Sequence, residues 1–192
     1  MSANQTQTYP TVPAFRVYAK GWDSNLLAHP MMKFLQAHEV LFDTKDFVAC
    51  QAYYSTSIVY VNSSGKRFEG IDAAVAGITA DYAPFSEFFH EPTYGTIVDT
   101  NGEDGKAGHR LMGAAKLFVN LASPFPGEGK FADLGGKKWE CMTEGAFIFD
   151  VVKDEEGPMG YRLTYFQVLA DPRPILSEAV KRAVIPIEAL LL

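Results

Sequence analysis

The chain has 192 residues, of which 47% are hydrophobic and 21% charged, and it carries a formal net charge of −6 at pH 7. This balance predicts one globular domain that buries its own core, and the acidic charge with scattered basic residues argues against nucleic acid or an anionic membrane as partner. Two cysteines, Cys50 and Cys141, are too few for a disulfide framework and form no CxxC pair for zinc or redox chemistry.

The N-terminal segment, residues 1–13, is polar and rich in Gln, Thr, Ser and Pro, and we expect it to be flexible. It contains no apolar run of signal-peptide length, and the chain has no stretch of about 18 apolar residues that could cross a membrane. We therefore expect a cytoplasmic protein. Residues 14–175 are expected to form the domain and residues 176–192 a C-terminal helical tail.

Three helices are predicted in the first half of the chain. The first covers Pro30–Leu41, because Pro suits the first helical turn and apolar residues recur on one face. A second follows, with Asp43 or Thr44 as its N-cap. The third covers Asp72–Tyr82, with apolar residues three or four positions apart.

Strands dominate the chain after Pro92. β-branched and aromatic residues between turn signals predict strands at 93–100, 109–121, 138–153 and 161–170, with an earlier strand at 57–62. Residues 123–136 carry Pro and Gly and form a long loop, a kind of segment that is often functional. Helices followed by antiparallel strands predict an α+β fold, a strongly curved antiparallel sheet with three N-terminal helices over its concave face.

Aromatic residues make up 13% of the chain. This content suits a curved sheet wrapped around an apolar cavity. It suits equally well a core that uses Phe where other proteins use Leu, so composition leaves both interpretations open.

Three segments together resemble the SnoaL-like branch of the nuclear transport factor 2 fold. Residues 47–60, FVACQAYYSTSIVY, resemble its short helix ending in Tyr, a turn and an apolar strand. Residues 66–75, KRFEGIDAAV, are similar to the segment whose glycine introduces the third helix, and residues 163–172, LTYFQVLADP, to the last strand. The resemblance spans about residues 30–175 and implies a cone-shaped α+β barrel with a pocket between sheet and helices.

The resemblance implies two kinds of function. Relatives use the pocket as ketosteroid isomerases, polyketide cyclases, scytalone-dehydratase-like lyases and fungal terpenoid isomerases, which implies a cofactor-independent isomerase, cyclase or dehydratase. Such an enzyme would act by acid–base chemistry on a hydrophobic, oxygenated small molecule of polyketide or terpenoid type, in secondary metabolism. The alternative is a non-catalytic ligand-binding or dimerisation module, which Gln167 and the lack of a clear carboxylate–His pair favour.

His90 is the first candidate for catalysis. It follows Phe88 and Phe89, where the third helical region is predicted to pass into the sheet, and the resemblance implies a place near the pocket mouth. Burial there would favour the neutral imidazole, which can act as a general base near pH 7. The alternative is a surface or supporting histidine. His38, on the apolar face of the first helix, is typical of a core histidine, and without HxH or HExxH spacing we expect no metal site.

Asp150 is the second catalytic candidate. It interrupts an apolar strand, and period two places it on one row with Ile148 and Val152. A carboxylate on a pocket-facing row could be the proton shuttle, whereas an outward row would make it a solvated strand position. Both rows are apolar, so the sequence leaves the direction open.

Four further residues are candidates for substrate binding. Tyr54, Tyr60 and Tyr165 offer hydroxyl groups that need a partner when buried, and core packing is their alternative role. Gln167 lies where the resemblance implies a pocket-facing Asp or another polar residue. Because Gln cannot transfer protons, it suits substrate orientation.

The strand predicted at 109–121 bears on assembly. Both of its rows carry apolar residues, so a monomer would leave one row facing water. Relatives commonly pair through the convex face of the sheet. We therefore expect a homodimer.

Overall fold

The computed structural model describes residues 15–101, 106–125 and 127–188. The segment 1–13 that we predict to be flexible and the last four residues of the tail lie outside the described residues. Within the described part the α-helices are α1 (Pro30–Asp43), α2 (Phe47–Cys50), α3 (Ile71–Tyr82) and α4 (Arg173–Lys181). The strands there are β1 (Phe15–Tyr18), β2 (Tyr54–Val61), β3 (Arg67–Glu69), β4 (Phe85–Asn101), β5 (Ala107–Leu121), β6 (Phe131–Ala132), β7 (Lys138–Trp139), β8 (Cys141–Lys153) and β9 (Tyr161–Ala170).

Seven strands form one curved sheet in the order β1-β4-β5-β8-β9-β2-β3, and β6 pairs with β7 in a small hairpin. This arrangement confirms the predicted α+β class. The sheet is mixed rather than purely antiparallel, because β2 and β9 run parallel. The meander from β4 to β9 imposes antiparallel pairing on its members, whereas β2 connects to the meander through β3 and α3 and is free of that constraint.

The first two helices differ from their predicted bounds. Helix α1 ends at Asp43, two residues later than predicted, and His29 caps its start by accepting a hydrogen bond at Nδ1 from the Met31 N–H at 3.2 Å. Helix α2 has a single turn, and Asp46 is its N-cap, accepting from the Ala49 N–H at 3.0 Å. The prediction that Asp43 or Thr44 caps α2 was therefore wrong, which leaves the Asp43 carboxylate free for another partner.

Strand β4 begins at Phe85, eight residues earlier than predicted. Pro92 was expected to precede the strand, but it lies inside it, at a register shift. The Pro92 carbonyl accepts from the Gly21 N–H at 3.0 Å on the side where the pairing with β1 has already ended, so the missing proline N–H breaks no ladder hydrogen bond. His90 consequently lies within a long strand and not at a junction between helix and sheet.

The core lies between the helices and the inner face of the sheet. Phe42 is at its centre, 1% exposed, and the ring centroids of Tyr82, Phe88 and Phe166 lie 5.0, 5.9 and 6.1 Å from its own. One aromatic ring of α1 thus contacts α3 and two strands. The aromatic content serves a packed core beside a cavity, so both interpretations of the composition hold in part.

The outer face of the sheet is partly covered by the chain itself. Phe118 is 2% exposed, because Trp139 of the hairpin packs on it with ring centroids 6.2 Å apart. The hairpin is tied to the sheet by Glu91, which accepts from the Leu134 N–H at 2.7 Å. Met112, in the middle of the same face, remains 38% exposed.

The C-terminal helix packs on β8 and begins at Arg173, earlier than the predicted tail. Ile175 and Ala179 are buried. Arg182, just after the helix, donates to Glu140 at 2.6 Å and to Glu178 at 2.9 Å. None of the helices in the described ranges is long and apolar enough to cross a membrane.

The packing of Phe42 at the centre of the core can be tested by its effect on stability. Phe42→Ala should lower the free energy of unfolding by about 3–5 kcal/mol, because it removes a fully buried ring. Val40→Ala, on the same helix but 60% exposed, is the matched control and should change it by less than about 0.5 kcal/mol. Urea unfolding followed by circular dichroism measures both, and equal effects of the two variants would contradict the packing.

Candidate active site

An apolar cavity of about 80 Å³, partly open to solvent, lies between the helices and the inner face of the sheet. Its volume is several times what one water molecule needs, so it can admit part of a small organic ligand. Apolar walls come from α1, β5, β8 and β9, including Met32, Leu35, Leu111, Leu117, Phe149 and Phe166. Three titratable side chains also line it, namely Glu39, Tyr82 and His90.

His90 is held in this cavity by Asp43, the last residue of α1. The imidazole Nδ1 lies 2.7 Å from Asp43 Oδ1, and the His90 backbone N–H donates to Asp43 Oδ2 at 3.2 Å. The carboxylate therefore fixes both the ring and the main chain of His90. The other ring nitrogen, Nε2, lies 3.4 Å from the hydroxyl of Tyr82 on α3.

Glu39 adds a second carboxylate one helical turn before Asp43. Its Oε2 lies 3.5 Å from His90 Nδ1, and its Oε1 lies 3.1 Å from Nδ1 of His38. His38 is fully buried, and its Nε2 lies 3.1 Å from the hydroxyl of Tyr54. A continuous chain of polar groups thus runs from β2 through α1 to β4.

Helical spacing explains why these groups converge. Met32, Leu35 and Glu39 recur every three or four residues and line the cavity, and Asp43 follows four residues later. Two carboxylates at this spacing repel each other, and Asp43 also lies at the negative end of the helix dipole. The imidazole of His90 offsets this unfavourable charge.

The electrostatics of His90 correct the expectation that burial makes it neutral. Burial does lower the pKa of His90, but the charge of Asp43, its hydrogen bond and the charge of Glu39 outweigh burial and raise that pKa above its ordinary value. Burial raises the pKa of Asp43, and His90 offsets part of that rise. His90 therefore keeps its proton to higher pH than a free imidazole.

Tyr82 and Glu39 keep their ordinary neutral-pH charge states. Burial raises the pKa of Tyr82 well above its usual range, so the hydroxyl remains a donor. Burial also raises the pKa of Glu39. The hydrogen bond and charge of His38 and the charge of His90 lower that pKa by a larger amount, so the carboxyl stays ionised. The cavity thus offers one neutral donor, one ionised carboxylate and one imidazole.

A cation could also meet donors in this cluster. Among the described residues, Glu39, Asp43 and His90 have ligand atoms within 4.8 Å of one another, a spacing that could hold a metal ion. The 2.7 Å between Asp43 and His90 is a charge-assisted hydrogen-bond distance, in which a proton lies between the two atoms. We therefore interpret the cluster as an acid–base group.

Asp150 lies away from the cavity. Its neighbours Phe147 and Phe149 line the cavity, so Asp150 points to the outer face of β8. There it accepts two hydrogen bonds from Arg110, at 2.6 Å from Nε and 2.7 Å from Nη2. The structure thus does not bring Asp150 to His90.

The four predicted substrate-binding residues also lie outside the described lining of the cavity. Tyr165 donates to Gln167 at 2.8 Å on the outer side of β9, because Phe166 and Val168 take the inner side. Tyr60 is buried and donates to Asp81 at 2.7 Å. Tyr54 is hydrogen-bonded to His38, which in turn contacts Glu39, so Tyr54 supports the cluster without lining the cavity.

Sequence reasoning missed Glu39, Asp43 and Tyr82. From the sequence, Asp43 is predicted only as a helix cap and Tyr82 only as the last residue of the third helix. The available signal was a pair of carboxylates at i and i+4 continuing an apolar helical stripe, which is unfavourable unless a cation or a donor lies opposite. The carboxylate–His pair that the sequence did not reveal joins residues 47 positions apart.

The fold is that of the SnoaL-like and nuclear transport factor 2-like proteins. No protein-family model and no curated protein sequence matches the chain. Aln2 from a Streptomyces species aligns with a TM-score of 0.54 and 14% identity over 81% of this chain and 98% of that chain. A protein from Novosphingobium aromaticivorans assigned as a scytalone dehydratase gives a TM-score of 0.52 and 10% identity over 74% of this chain and 82% of that chain. An NTF2-like protein from Pseudomonas putida gives a TM-score of 0.52 and 10% identity over 73% of this chain and 84% of that chain.

These likenesses confirm the fold expected from the three sequence segments. At identities of 10–14% they concern the fold alone. The NTF2-like sheet and helices thus account for where the cavity lies, and the chemistry must be argued from the side chains in it.

The raised pKa of His90 has a consequence for stability that can be measured. A histidine whose folded-state pKa is raised stabilises the protein fully below its unfolded pKa of about 6.5 and loses that contribution as pH rises through the folded value. The stability difference between wild type and His90→Gln should therefore shrink as pH increases from about 5.5 to 8.5. Urea unfolding across this range gives the difference.

His29→Gln is the control, because the pKa of His29 is shifted in the opposite direction to that of His90. Burial and the nearby charge of His109 lower its pKa, so its charged form is disfavoured in the folded state. The difference between wild type and His29→Gln should grow as pH rises through the same range. Parallel slopes for the two variants would contradict the assigned electrostatics.

Proposed function

We propose that the protein is a cofactor-independent isomerase, cyclase or dehydratase that acts by acid–base chemistry on a hydrophobic, oxygenated small molecule. The single observation that carries this proposal is the hydrogen-bonded His90–Asp43 pair at the wall of an apolar cavity. A paired imidazole at the wall of an apolar cavity can exchange protons with a ligand near neutral pH.

Each residue of the site has a distinct part in this chemistry. Asp43 holds the Nδ1 proton of His90 and so directs Nε2 toward Tyr82. A ligand carbonyl near these atoms would meet the Tyr82 hydroxyl as a donor, which steadies negative charge that develops on oxygen. His90 Nε2 would then give or take the proton, depending on pH.

The composition of the cavity supports a substrate class. Most lining residues are apolar, which favours a hydrophobic ligand body. The carboxylates of Glu39 and Asp43 disfavour an anionic group beside His90, so a neutral molecule with a ketone or hydroxyl fits best. A polyketide-like or terpenoid-like compound of secondary metabolism meets this description, and the likeness to a protein assigned as a scytalone dehydratase agrees with it.

A probe reaction tests the acid–base role without the natural substrate. 5-Nitrobenzisoxazole is a neutral, planar molecule that opens when a base removes its C–H proton, and the phenolate product absorbs visible light. We expect wild type to accelerate the opening and His90→Gln to lower the rate by about 10²-fold, the usual contribution of a general acid or base. Asp43→Asn should also lower the rate.

Glu91→Gln is the matched control for these variants. Glu91 is 2% exposed and adjacent to His90 in sequence, but it binds the hairpin on the opposite face of the sheet. Its rate should equal that of wild type. If His90→Gln and Asp43→Asn also equal wild type, the enzyme proposal is wrong, and a non-catalytic binding module of the same fold becomes the better description.

We also propose that two copies associate through the outer face of the sheet. Met112 and Leu169, 38% and 47% exposed, lie on this face with Ile148 between them, beyond the part covered by the hairpin. Light scattering should give twice the 21.2 kDa of one chain. Introducing charge with Met112→Asp and Leu169→Asp should yield the monomer mass, and a monomeric wild type would refute the proposal.

A further inference from the structure

Glu39 is a buried carboxylate in contact with the same cavity as His90. It is 8% exposed, lines the cavity, and has its Oε2 3.5 Å from His90 Nδ1. The charge of Glu39 helps to raise the pKa of His90, but the hydrogen bonds of His90 are made with Asp43, and burying a second carboxylate here is costly. Its position therefore calls for a function of its own.

The two carboxylates of α1 differ in what their oxygens contact. Asp43 uses both oxygens on His90, one for the ring at 2.7 Å and one for the backbone N–H at 3.2 Å. Glu39 uses Oε1 for His38 at 3.1 Å. Its Oε2, beside His90, is the carboxylate oxygen placed to meet a ligand in the cavity.

His38 and Tyr54 fix the position of Glu39 through two consecutive hydrogen bonds. Burial raises the pKa of Tyr54 well above its usual range, so its hydroxyl stays protonated, and it is hydrogen-bonded to His38 Nε2 at 3.1 Å. The Nδ1–H of His38 donates to Glu39 Oε1 at 3.1 Å, because the ionised carboxylate can only accept. Two consecutive hydrogen bonds from fully packed residues thus fix the direction of Oε2.

The environment also separates the protonation states of Glu39 and His90. Burial raises the pKa of Glu39, but His38 and His90 lower it by more, so the net shift is downward. The net shift of the pKa of His90 is upward. Between these two pKa values an ionised carboxylate and a protonated imidazole coexist, which is the usual arrangement of a base and an acid in one site. The titratable groups around Glu39 are His38, Asp43, Cys50, Tyr54, Tyr82 and His90.

We propose that Glu39 is the general base of this site and His90 its partner acid, with His38 and Tyr54 as positioning residues for Glu39. The inference rests on the proposed acid–base function and assigns its two halves to different side chains. It predicts that the site works best where Glu39 is ionised and His90 is charged.

The step is an enolisation in which atoms and electrons balance. Glu39 Oε2 takes a proton from the carbon next to a ligand carbonyl, and the electron pair of that C–H bond forms the enol double bond. The carbonyl oxygen takes the proton of His90 Nε2. In a ligand with a β,γ carbon–carbon double bond the enol is a conjugated dienol. Glu39 then gives its proton to the γ carbon, the double bond moves next to the carbonyl, and the enol O–H proton returns to His90 Nε2, which yields an isomer and restores both residues.

The dependence of rate on pH separates this assignment from one in which His90 is the base. With 5-nitrobenzisoxazole as the probe, the C–H proton passes to the base, the electron pair forms the nitrile, and the N–O bond breaks to give the phenolate. If Glu39 is the base, the wild-type rate persists as pH falls through the pKa of His90 and drops only when Glu39 is protonated. If His90 is the base, the rate falls about tenfold per pH unit below the pKa of His90.

Glu39→Gln is the central variant, since glutamine keeps the acceptor for His38 but cannot take a proton. We expect the rate at neutral pH to fall by about 10²-fold, with Glu91→Gln unchanged. Glu39→Asp, which retains the carboxylate, should recover part of the loss and show that the loss is chemical. A wild-type rate in Glu39→Gln beside a reduced rate in His90→Gln would overturn this inference and leave the proposed function standing.

The positioning role has its own matched pair. Tyr54→Phe should lower kcat by a smaller factor at unchanged KM, because it frees His38 and, through it, Glu39. Tyr60→Phe, on the same strand and equally buried but bonded to Asp81, should leave both constants unchanged. Equal effects of the two variants would reduce the role of Tyr54 to core packing.

Discussion

The contact between Asp43 and His90 is the interaction on which the arrangement of this protein depends. It joins the end of α1 to the middle of β4 across 47 residues of sequence, and it does so with both carboxylate oxygens. Without the imidazole, α1 would present two carboxylates to an apolar interior at its negative end, which is unfavourable on every electrostatic count. This charged hydrogen bond therefore offsets that cost and fixes the end of the first helix against β4.

Strand β4 uses its two faces for different purposes. His90 points inward to the cavity, while Glu91 points outward and holds the hairpin of β6 and β7 through the Leu134 N–H. Alternation along one strand thus places a site residue and a structural anchor on opposite faces of the sheet. Because both are attached to the same backbone, a shift of β4 by one residue would exchange them and destroy the site and the outer cover together.

The sequence was sufficient for the fold and insufficient for most of the site. Helical periodicity in α1 and α3 and turn signals between strands are local, so the class of fold and several element bounds followed from them. The direction of Asp150 and Gln167 could not, because both rows of their strands are apolar and period two does not say which row is inside. The position of Asp43 opposite His90 depends on how α1 lies on β4, and no local pattern encodes that.

His90 was identified for a reason that proved incomplete. Its aromatic neighbours do bury it, as the Phe residues before it suggested, but the carboxylates that set its charge are on a helix far away in sequence. Local hydrophobicity predicts desolvation, whereas the sign of a pKa shift depends on which charges the tertiary structure brings close. Single sequences are informative about the first and nearly silent about the second.

The parallel pairing of β2 with β9 has a consequence for how the protein is made. Tyr54, at the start of β2, pairs with Leu163 of the last strand, so β2 and its neighbour β3 join the rest of the sheet only after residues 161–170 have been synthesised. Until then, the apolar faces of α1 and α3 have no completed sheet to cover them. Folding is then governed by contacts of long sequence separation, and the apolar surface that is exposed before those contacts form is open to aggregation.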